Sequence, residues 1–174
     1  MMKCTDRADP LPIDELRCAR FRGVIGMCAC PGASGRNLRE DLAAIESWGA
    51  GILISLIEEY EYRFAGVERM PELVPKYIRR LRLPIADASI PTMDWERTWL
   101  REGPSVREAL RRGGRICIHC MGGFGRTGLL AARILVEFGE EPDLAIRAVR
   151  IARPGAIETS EQEEYVRNIA SQIL

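Results

Sequence analysis

Two kinds of apolar pattern alternate along the chain. Short, nearly continuous apolar runs are followed by longer segments in which apolar residues recur every three or four positions. Ile52–Ile57 (ILISLI) and Arg115–Cys120 (RICIHC) are runs of the first kind and predict strands covered on both faces. Arg22–Cys28 (RGVIGMC) predicts an earlier strand, and Leu83–Ala86 a shorter one that leads into a loop over Asp87–Pro91. The second kind predicts helices. Leu38, Leu42 and Ile45 share a face over residues 38–48, with Asn37 and Glu40 in capping-box spacing and Gly49 as the stop. Leu73, Tyr77, Ile78 and Leu81 predict a helix over Pro71–Leu81, and Glu58–Phe64 reads as a short helix or loop. A helical stretch from Thr92 to Arg112 is expected to be interrupted near Gly103-Pro104. Thr127–Phe138 is apolar enough for a buried helix. Pro142 suits the first position of the next, with Leu144, Ala145, Ala148 and Val149 inward. After the break at Pro154-Gly155, Thr159 and Gln162 stand as a capping box for a last helix through Tyr165, Val166 and Ile169.

Strands alternating with helices predict an α/β fold: a central, parallel-rich sheet of about four to five strands with helices on both faces. Residues 1–20, with Pro10 and Pro12 and no periodicity, read as an N-terminal lead-in, and 21–174 as a single domain. There is no internal repeat or low-complexity segment.

Composition narrows the function classes. Lys+Arg and Asp+Glu are equal at 25 each, so no global basic field favours nucleic acid or an anionic membrane. The N-terminus lacks an apolar signal core, and Ile52–Ile57 is too short to span a bilayer. The 6 cysteines, at 4, 18, 28, 30, 117 and 120, form neither a disulfide framework nor paired metal knuckles, and a single histidine leaves zinc few ligands. A reducing cytoplasm, a monomer, and no metal or cofactor are the expectations.

The chemistry concentrates in Ile116–Leu129 (ICIHCMGGFGRTGL): an apolar strand, Cys120, three glycines (Gly122, Gly123, Gly125), then Arg126 and Thr127 at the head of an apolar helix. Strand, glycine loop and helix in that order aim backbone N–H groups and the positive end of the helix dipole at one point. Without Gly-Lys-Ser/Thr the loop is not a nucleotide P-loop. A cysteine nucleophile works as its thiolate, and a helix N-terminus with an arginine nearby favours that form. The stretch Met121, Gly122, Gly123, Phe124, Gly125 and Arg126 therefore reads as a phosphate cradle. Cys120 would attack phosphorus and Arg126 would hold two oxygens bidentately. A merely buried strand cysteine is the competing reading.

HCMGGFGRTG resembles the signature loop of the cysteine-based protein tyrosine and dual-specificity phosphatases. CPG near residue 30, RNLREDLAAIESWG, LPIADASIP and ARPGAIETSEQ extend the resemblance, over about residues 24–166, to the kinase-associated phosphatase branch of that group. The resemblance implies a hydrolase acting on phosphorylated protein or peptide through a phosphocysteine intermediate. It implies a loop aspartate as general acid, which Asp87 matches. Asp94 is the runner-up, although its place in the first turn of a helix explains it without catalysis. Glu58 and Glu59 come next. Thr127 matches a hydroxyl that bonds the cysteine sulfur, unless it is an ordinary cap. His119 matches a residue that orders the loop; strand alternation points it away from Cys120, so its role is indirect. Gln162 matches a glutamine that positions water, or serves only the capping box. Met121 stands where phosphoinositide-directed members carry lysine, and Phe124 adds no base, which favours a phosphoprotein over a polyanionic lipid.

Two other classes remain. A thiol-transfer enzyme of rhodanese or arsenate reductase type also uses a cysteine in an anion loop but leaves Asp87, Thr127 and Gln162 unexplained. A phosphate-binding module without turnover is disfavoured because no signature residue is missing. Cys28 or Cys30, near the end of a predicted strand in the same sheet, is a candidate to trap oxidised Cys120 as a disulfide, given the Cα separation such a bond requires.

Overall fold

The computed structural model describes residues 9–172. Five strands, β1 (Asp14–Leu16), β2 (Val24–Cys28), β3 (Ile52–Ser55), β4 (Arg79–Arg82) and β5 (Arg115–His119), form one sheet in the order β1-β2-β5-β3-β4. β2, β5, β3 and β4 run parallel, and β1 closes one edge antiparallel to β2, with Asp14 opposite Met27. Every residue of β2 and β3, and all of β5 after Arg115, is buried. Strands hidden on both faces read as unbroken apolar runs, which is why these three were visible in the sequence. β1 lies inside the stretch expected as a lead-in; its three residues carry no period that could announce it.

The connections are helical. α1 (Leu38–Trp48) is capped by Asn37, whose side chain accepts from the N–H groups of Arg39 and Glu40, and it ends at Gly49 in the left-handed conformation. α2 (Glu59–Phe64) follows β3 and opens with a reciprocal capping box between Glu58 and Glu61. α5 (Gly125–Glu137) is buried along nearly its whole circumference, and α6 (Pro142–Ala152) and α7 (Ser160–Gln172) pack on it.

Two expectations fail on proline. No helix spans Pro71–Leu81. α3 (Met70–Leu73) is a single turn, and Val74, at φ −64° and ψ 128°, is extended ahead of Pro75. The pyrrolidine ring excludes the α region from the residue before it, so the chain leaves as a strand. β4 accordingly starts four residues earlier than the strand expected at Leu83–Ala86. Pairing continues past it, because the N–H groups of Leu83 and Ile85 donate to the carbonyls of Ser55 and Leu56 at 2.9 and 3.0 Å. Conversely, α4 (Met93–Arg111) runs unbroken through Pro104. Pro104 and Leu100 are both exposed, so the carbonyl deprived of its donor faces water. α4 is tied to the extended chain after β4 by Trp95, whose indole N–H donates to the Leu83 carbonyl at 3.0 Å, and to the end of α5 by Trp99, which donates to Glu137 at 2.7 Å.

All three parallel strands that flank the centre end at the same edge, so β5, β2 and β3 deliver their following loops to one place. Two measurements test this packing. Gly128 sits in the first turns of α5 where an added Cβ would meet the Ala156 Cβ at 2.8 Å and the Ile157 nitrogen at 2.9 Å. Helix propensity alone makes Gly→Ala stabilising by about 1 kcal/mol; here Gly128→Ala should lower the melting temperature instead, and a rise would show that α5 can move off residues 156–157. The single histidine, His119, is fully buried, and burial lowers its pKa from 6.5 to about 4. Below pH 6.5 the unfolded chain binds a proton there that the folded chain refuses, so stability is full above 6.5 and falls as pH drops toward 4, by on the order of 3 kcal/mol in total. Denaturant midpoints between pH 6.5 and 5 should decline more steeply in the wild type than in His119→Asn, and parallel profiles would refute the assignment.

Candidate active site

Cys120 leaves the end of β5 and starts a loop that closes on the N-terminus of α5. Its sulfur is 3% exposed by residue and accepts the Gly123 N–H at 3.2 Å. Gly123 adopts φ +77°, and a Cβ there would lie 2.3 Å from the Cys28 carbonyl oxygen. Only glycine allows both that dihedral and that approach. Phe124 holds the N-cap of α5 without a side-chain cap, which leaves the first-turn N–H groups of the helix for a ligand.

The loop is braced from outside. Arg153, just after α6, donates from Nε to the Gly123 carbonyl at 2.5 Å and from Nη2 to the Gly122 carbonyl at 3.1 Å. Its Nη1 pairs with Asp14 of β1 at 2.6 Å, and its guanidinium stacks on Phe124, 4.3 Å from the ring centre. The Met121 carbonyl accepts from Cys30 N–H at 2.9 Å. With the carbonyls turned outward, the amides of the same peptides can face in. Met121, Gly122, Gly123, Phe124 and Gly125 thus shape the cradle with main chain.

Arg126, on the first turn of α5, is 1% exposed. Nη1 and Nη2 grip the two oxygens of Glu61 at 2.7 and 2.8 Å, Nη1 also donates to the Ile85 carbonyl at 3.0 Å, and Nη2 lies 3.0 Å from Asp87. Nε is buried and has no partner among the described residues. Burial alone would lower the pKa of this guanidinium, but the Glu61 bonds reverse the balance and raise it, so the group stays charged. Burial likewise pulls the Glu61 carboxyl upward, and the bonds from Arg126 and from the Glu58 N–H outweigh it and hold the carboxyl below its usual range.

Asp87 is 72% exposed on its loop, with only Arg126 as an ionic partner among the described residues. The loop backbone is tight: Ala88 has φ +53°, and the Ser89 N–H donates to the Ala86 carbonyl at 3.1 Å. Asp94 is elsewhere, in the first turn of α4, paired with Arg97 at 2.7 Å. Glu58 caps α2 and Glu59 pairs with Arg82 at 2.6 Å. Gln162 is fully buried and completes the capping box of α7: its Oε1 accepts from Glu158 and Thr159, and its N–H donates to Thr159 Oγ1. Its amide nitrogen also donates to the Ser89 carbonyl at 3.2 Å, which ties the Asp87 loop to α7. His119 Nδ1 bonds the Cys120 carbonyl at 3.1 Å, while Nε2 has no partner among the described residues. The Thr127 hydroxyl is buried and likewise unpartnered, so its expected bond to the Cys120 sulfur is not made in this arrangement.

Cys28 and Cys30 have contacts of their own. The Cys28 sulfur lies 3.5 Å from that of Cys117, and the Cys30 thiol points to the Pro31 carbonyl at 3.7 Å. The bond to Cys117 and burial push the Cys28 thiol up, and burial chiefly raises Cys30 to about 12. Among the described residues no cluster suits a metal ion. Glu61 and Arg153 are the residues that sequence reasoning missed. Glu61 was hidden in an acidic run whose other members, Glu58 and Glu59, drew attention; its signal was capping-box spacing from Glu58. Arg153 lay in the quoted ARPG segment but read as a helix-breaking turn.

A family model described as "Polymorphic toxin system, DSP-PTPase phosphatase" matches residues 26–140. Cyclin-dependent kinase inhibitor 3 of Rattus norvegicus is 28% identical over 173 residues, covering 94% of this chain and 78% of the relative. Tyrosine-protein phosphatase CDC14 of Saccharomyces cerevisiae is 30% identical over 81 residues, 46% of this chain and 14% of the relative. Among solved structures, a kinase-associated phosphatase with its catalytic-site cysteine replaced by serine superposes with a TM-score of 0.83 at 26% identity, covering 94% of this chain and 96% of the other. Tk-PTP in its active form gives a TM-score of 0.66 at 26% identity over 85% and 92% of the two chains. The match to the family model spans β5, Cys120, the glycine loop and Arg126, and the chain belongs to this dual-specificity branch of the cysteine-based protein tyrosine phosphatases.

Proposed function

We propose that Cys120 is the nucleophile of a two-step phosphomonoester hydrolysis, with Arg126 as the phosphate clamp and Asp87 as the general acid. The observation that carries this is the donor inventory of Arg126. Glu61 occupies one fork, Nη1 and Nη2, and Ile85 takes the remaining Nη1 hydrogen. The other edge of the guanidinium offers Nε, which has no partner among the described residues, and the side of Nη2 turned away from Glu61, where the exposed Asp87 lies at 3.0 Å. That edge is the fork left for two phosphate oxygens. Binding phosphate there displaces Asp87 from Nη2 and leaves its carboxyl beside the ester.

In the first step the Cys120 thiolate forms an S–P bond as the ester P–O bond breaks, and Asp87 gives its proton to the leaving oxygen. In the second, water attacks phosphorus, Asp87 takes a proton from it, and the S–P electron pair returns to sulfur, releasing inorganic phosphate. The buried Thr127 hydroxyl supplies a donor for the departing sulfur once the loop holds an anion. His119 acts at one remove, fixing the Cys120 carbonyl. Gln162 acts through the Ser89 carbonyl to hold the acid loop, and its remaining amide hydrogen is available to water.

The substrate is a phosphorylated protein. Kinship with proteins named kinase-associated phosphatase and tyrosine-protein phosphatase supports this, as does a loop without basic side chains other than Arg126. The same kinship makes a protein kinase the partner class to test. Cysteine usage supports a reducing, cytoplasmic setting.

Asp87→Asn should lower turnover on phosphopeptides by roughly 10²–10⁴-fold, with a much smaller loss on nitrophenyl phosphate, whose leaving group hardly needs a proton. The basic limb of the pH–rate profile should flatten while the acidic limb stays. Asp94→Asn should change neither; the reverse outcome would move the acid to α4. Glu61→Gln keeps the shape of the arginine's partner but removes its charge. It should cost on the order of 3 kcal/mol of stability and weaken inhibition by inorganic phosphate, read together by calorimetry and competition kinetics. Unchanged phosphate affinity would show that Arg126 holds its orientation without Glu61.

A further inference from the structure

A cavity of about 430 Å³ lies between α4, α5 and α7, and none of the residues lining it belongs to the site around Cys120. That volume is in the range of small-molecule sites. Trp99 and Leu100 of α4 and Ile169 of α7 form its apolar walls. Its polar side consists of Arg133 and Glu137 of α5 with Glu96 and Arg107 of α4. Arg133 is two helical turns beyond Arg126, about 10 Å along the axis of α5.

The hydrogen bonds of this cluster leave a surplus of donors. Arg133 is 5% exposed, and its guanidinium carbon lies 5.4, 5.8 and 5.7 Å from the ring centres of Trp95, Trp99 and Tyr165. Nε donates to Glu137 at 2.9 Å, and Nη1 donates to Glu96 at 2.7 Å and to the Tyr165 hydroxyl. Nη2 makes no hydrogen bond among the described residues, yet it is not sealed from solvent. A buried guanidinium in a cavity wall with one edge bare has lost water without a full replacement. The nearby acceptors are largely spent. One Glu137 oxygen takes the Trp99 indole N–H and Arg133, and the other takes Arg107. One Glu96 oxygen takes both Arg133 and the Tyr165 hydroxyl, which leaves its second oxygen without a bond. Arg107 commits only Nη1, so its Nε and Nη2 are free among the described residues. Unused donors of two guanidinium groups thus stand against one unused carboxylate oxygen, between apolar walls.

We propose that this cavity is a second ligand site, for a small organic carboxylate with an apolar body. The two carboxylate oxygens accept from the free donors of Arg133 and Arg107, and the apolar body lies against Trp99, Leu100 and Ile169. Planar guanidinium donors match a carboxylate with two parallel bonds. An amine would find only the spare Glu96 oxygen and would face two cations. A phosphate monoester would bring close to two negative charges beside Glu96 and Glu137, whereas a carboxylate brings one. The site is independent of the chemistry at Cys120, and the inference stands whether or not that chemistry is hydrolysis.

Titration calorimetry on the full chain tests it, with excess inorganic phosphate present to occupy the Cys120 loop. The probes are octanoate and naphthoate, compared with octanamide and octylamine. Octanoate should bind saturably at one site per chain and change the tryptophan fluorescence, since Trp99 lines the cavity. Octanamide and octylamine should bind about 10-fold more weakly or worse, the loss expected for one charge-assisted hydrogen bond. Arg133→Gln endangers the fold, because Glu96 and Glu137 would lose their buried counter-charge. The deciding substitutions are therefore Arg107→Gln, at a side chain 22% exposed, and Leu100→Asp, at a residue 73% exposed. Each should weaken octanoate by roughly 10-fold, and Leu100→Asp should leave octylamine no weaker. Octanamide or octylamine binding as tightly as octanoate would overturn the inference. So would octanoate binding undiminished in both variants, or no saturable binding of either carboxylate.

Discussion

A guanidinium with almost no solvent exposure governs this molecule. Arg126 sits inside the protein with its charge intact, and such a charge persists only when partners replace the water it has lost. Glu61 supplies the counter-charge and Ile85 a carbonyl. Those two partners come from α2 and from the extended chain after β4, while the arginine belongs to α5. Three otherwise separate connections are therefore drawn to one planar group, and their mutual orientation is set by the geometry of a fork. Removing either member leaves an uncompensated charge in the core, so the pair works as a register pin for the whole catalytic edge of the sheet.

The glycine loop obeys a complementary constraint. A cradle of inward N–H groups demands that the adjoining carbonyls go elsewhere, and they go to Arg153 and to the amides of neighbouring segments. Two arginines thus divide the work. Arg126 stands at the inner surface with one edge open to a ligand, and Arg153 stands behind the loop with its donors committed to the protein. Close packing reinforces both, because Gly123 is pressed against the Cys28 carbonyl and Gly125 against the Glu158 and Gln162 side chains.

How much of this was legible in the chain depended on how local each determinant is. β2, β3 and β5 announced themselves because strands buried on both faces need no periodicity to be recognised. α5 did so because an apolar run after glycines has few alternatives. Pro75 defeated the helix expected over Pro71–Leu81, since the spacing of Leu73, Ile78 and Leu81 satisfies a helix while the proline forbids one. Pro104 erred the other way, being tolerated where its orphaned carbonyl meets water. At the site, Cys120 and Arg126 were readable from a contiguous motif. Glu61 and Arg153 were not, because their significance lies in partners 65 and 30 residues away, and a single chain carries no mark of such pairings. Gln162 was ambiguous between a capping box and a water-positioning role; the structure shows the capping bonds and one further bond to the Ser89 carbonyl, on the loop that carries Asp87.

The contact between Arg153 and Asp14 has a consequence for the order in which the molecule is assembled. It joins positions 139 residues apart, the first strand and a segment beyond α6. During synthesis Cys120, the glycine loop and Arg126 all emerge before Arg153 does. A growing chain that has completed β5 and α5 therefore carries the glycine loop but lacks the buttress that turns the Gly122 and Gly123 carbonyls outward. Long-range contacts of this kind form late, after the local helices and the parallel pairings they follow. The outward turn of the Gly122 and Gly123 carbonyls is therefore a late step of folding, completed only when residue 153 meets both the loop and the first strand.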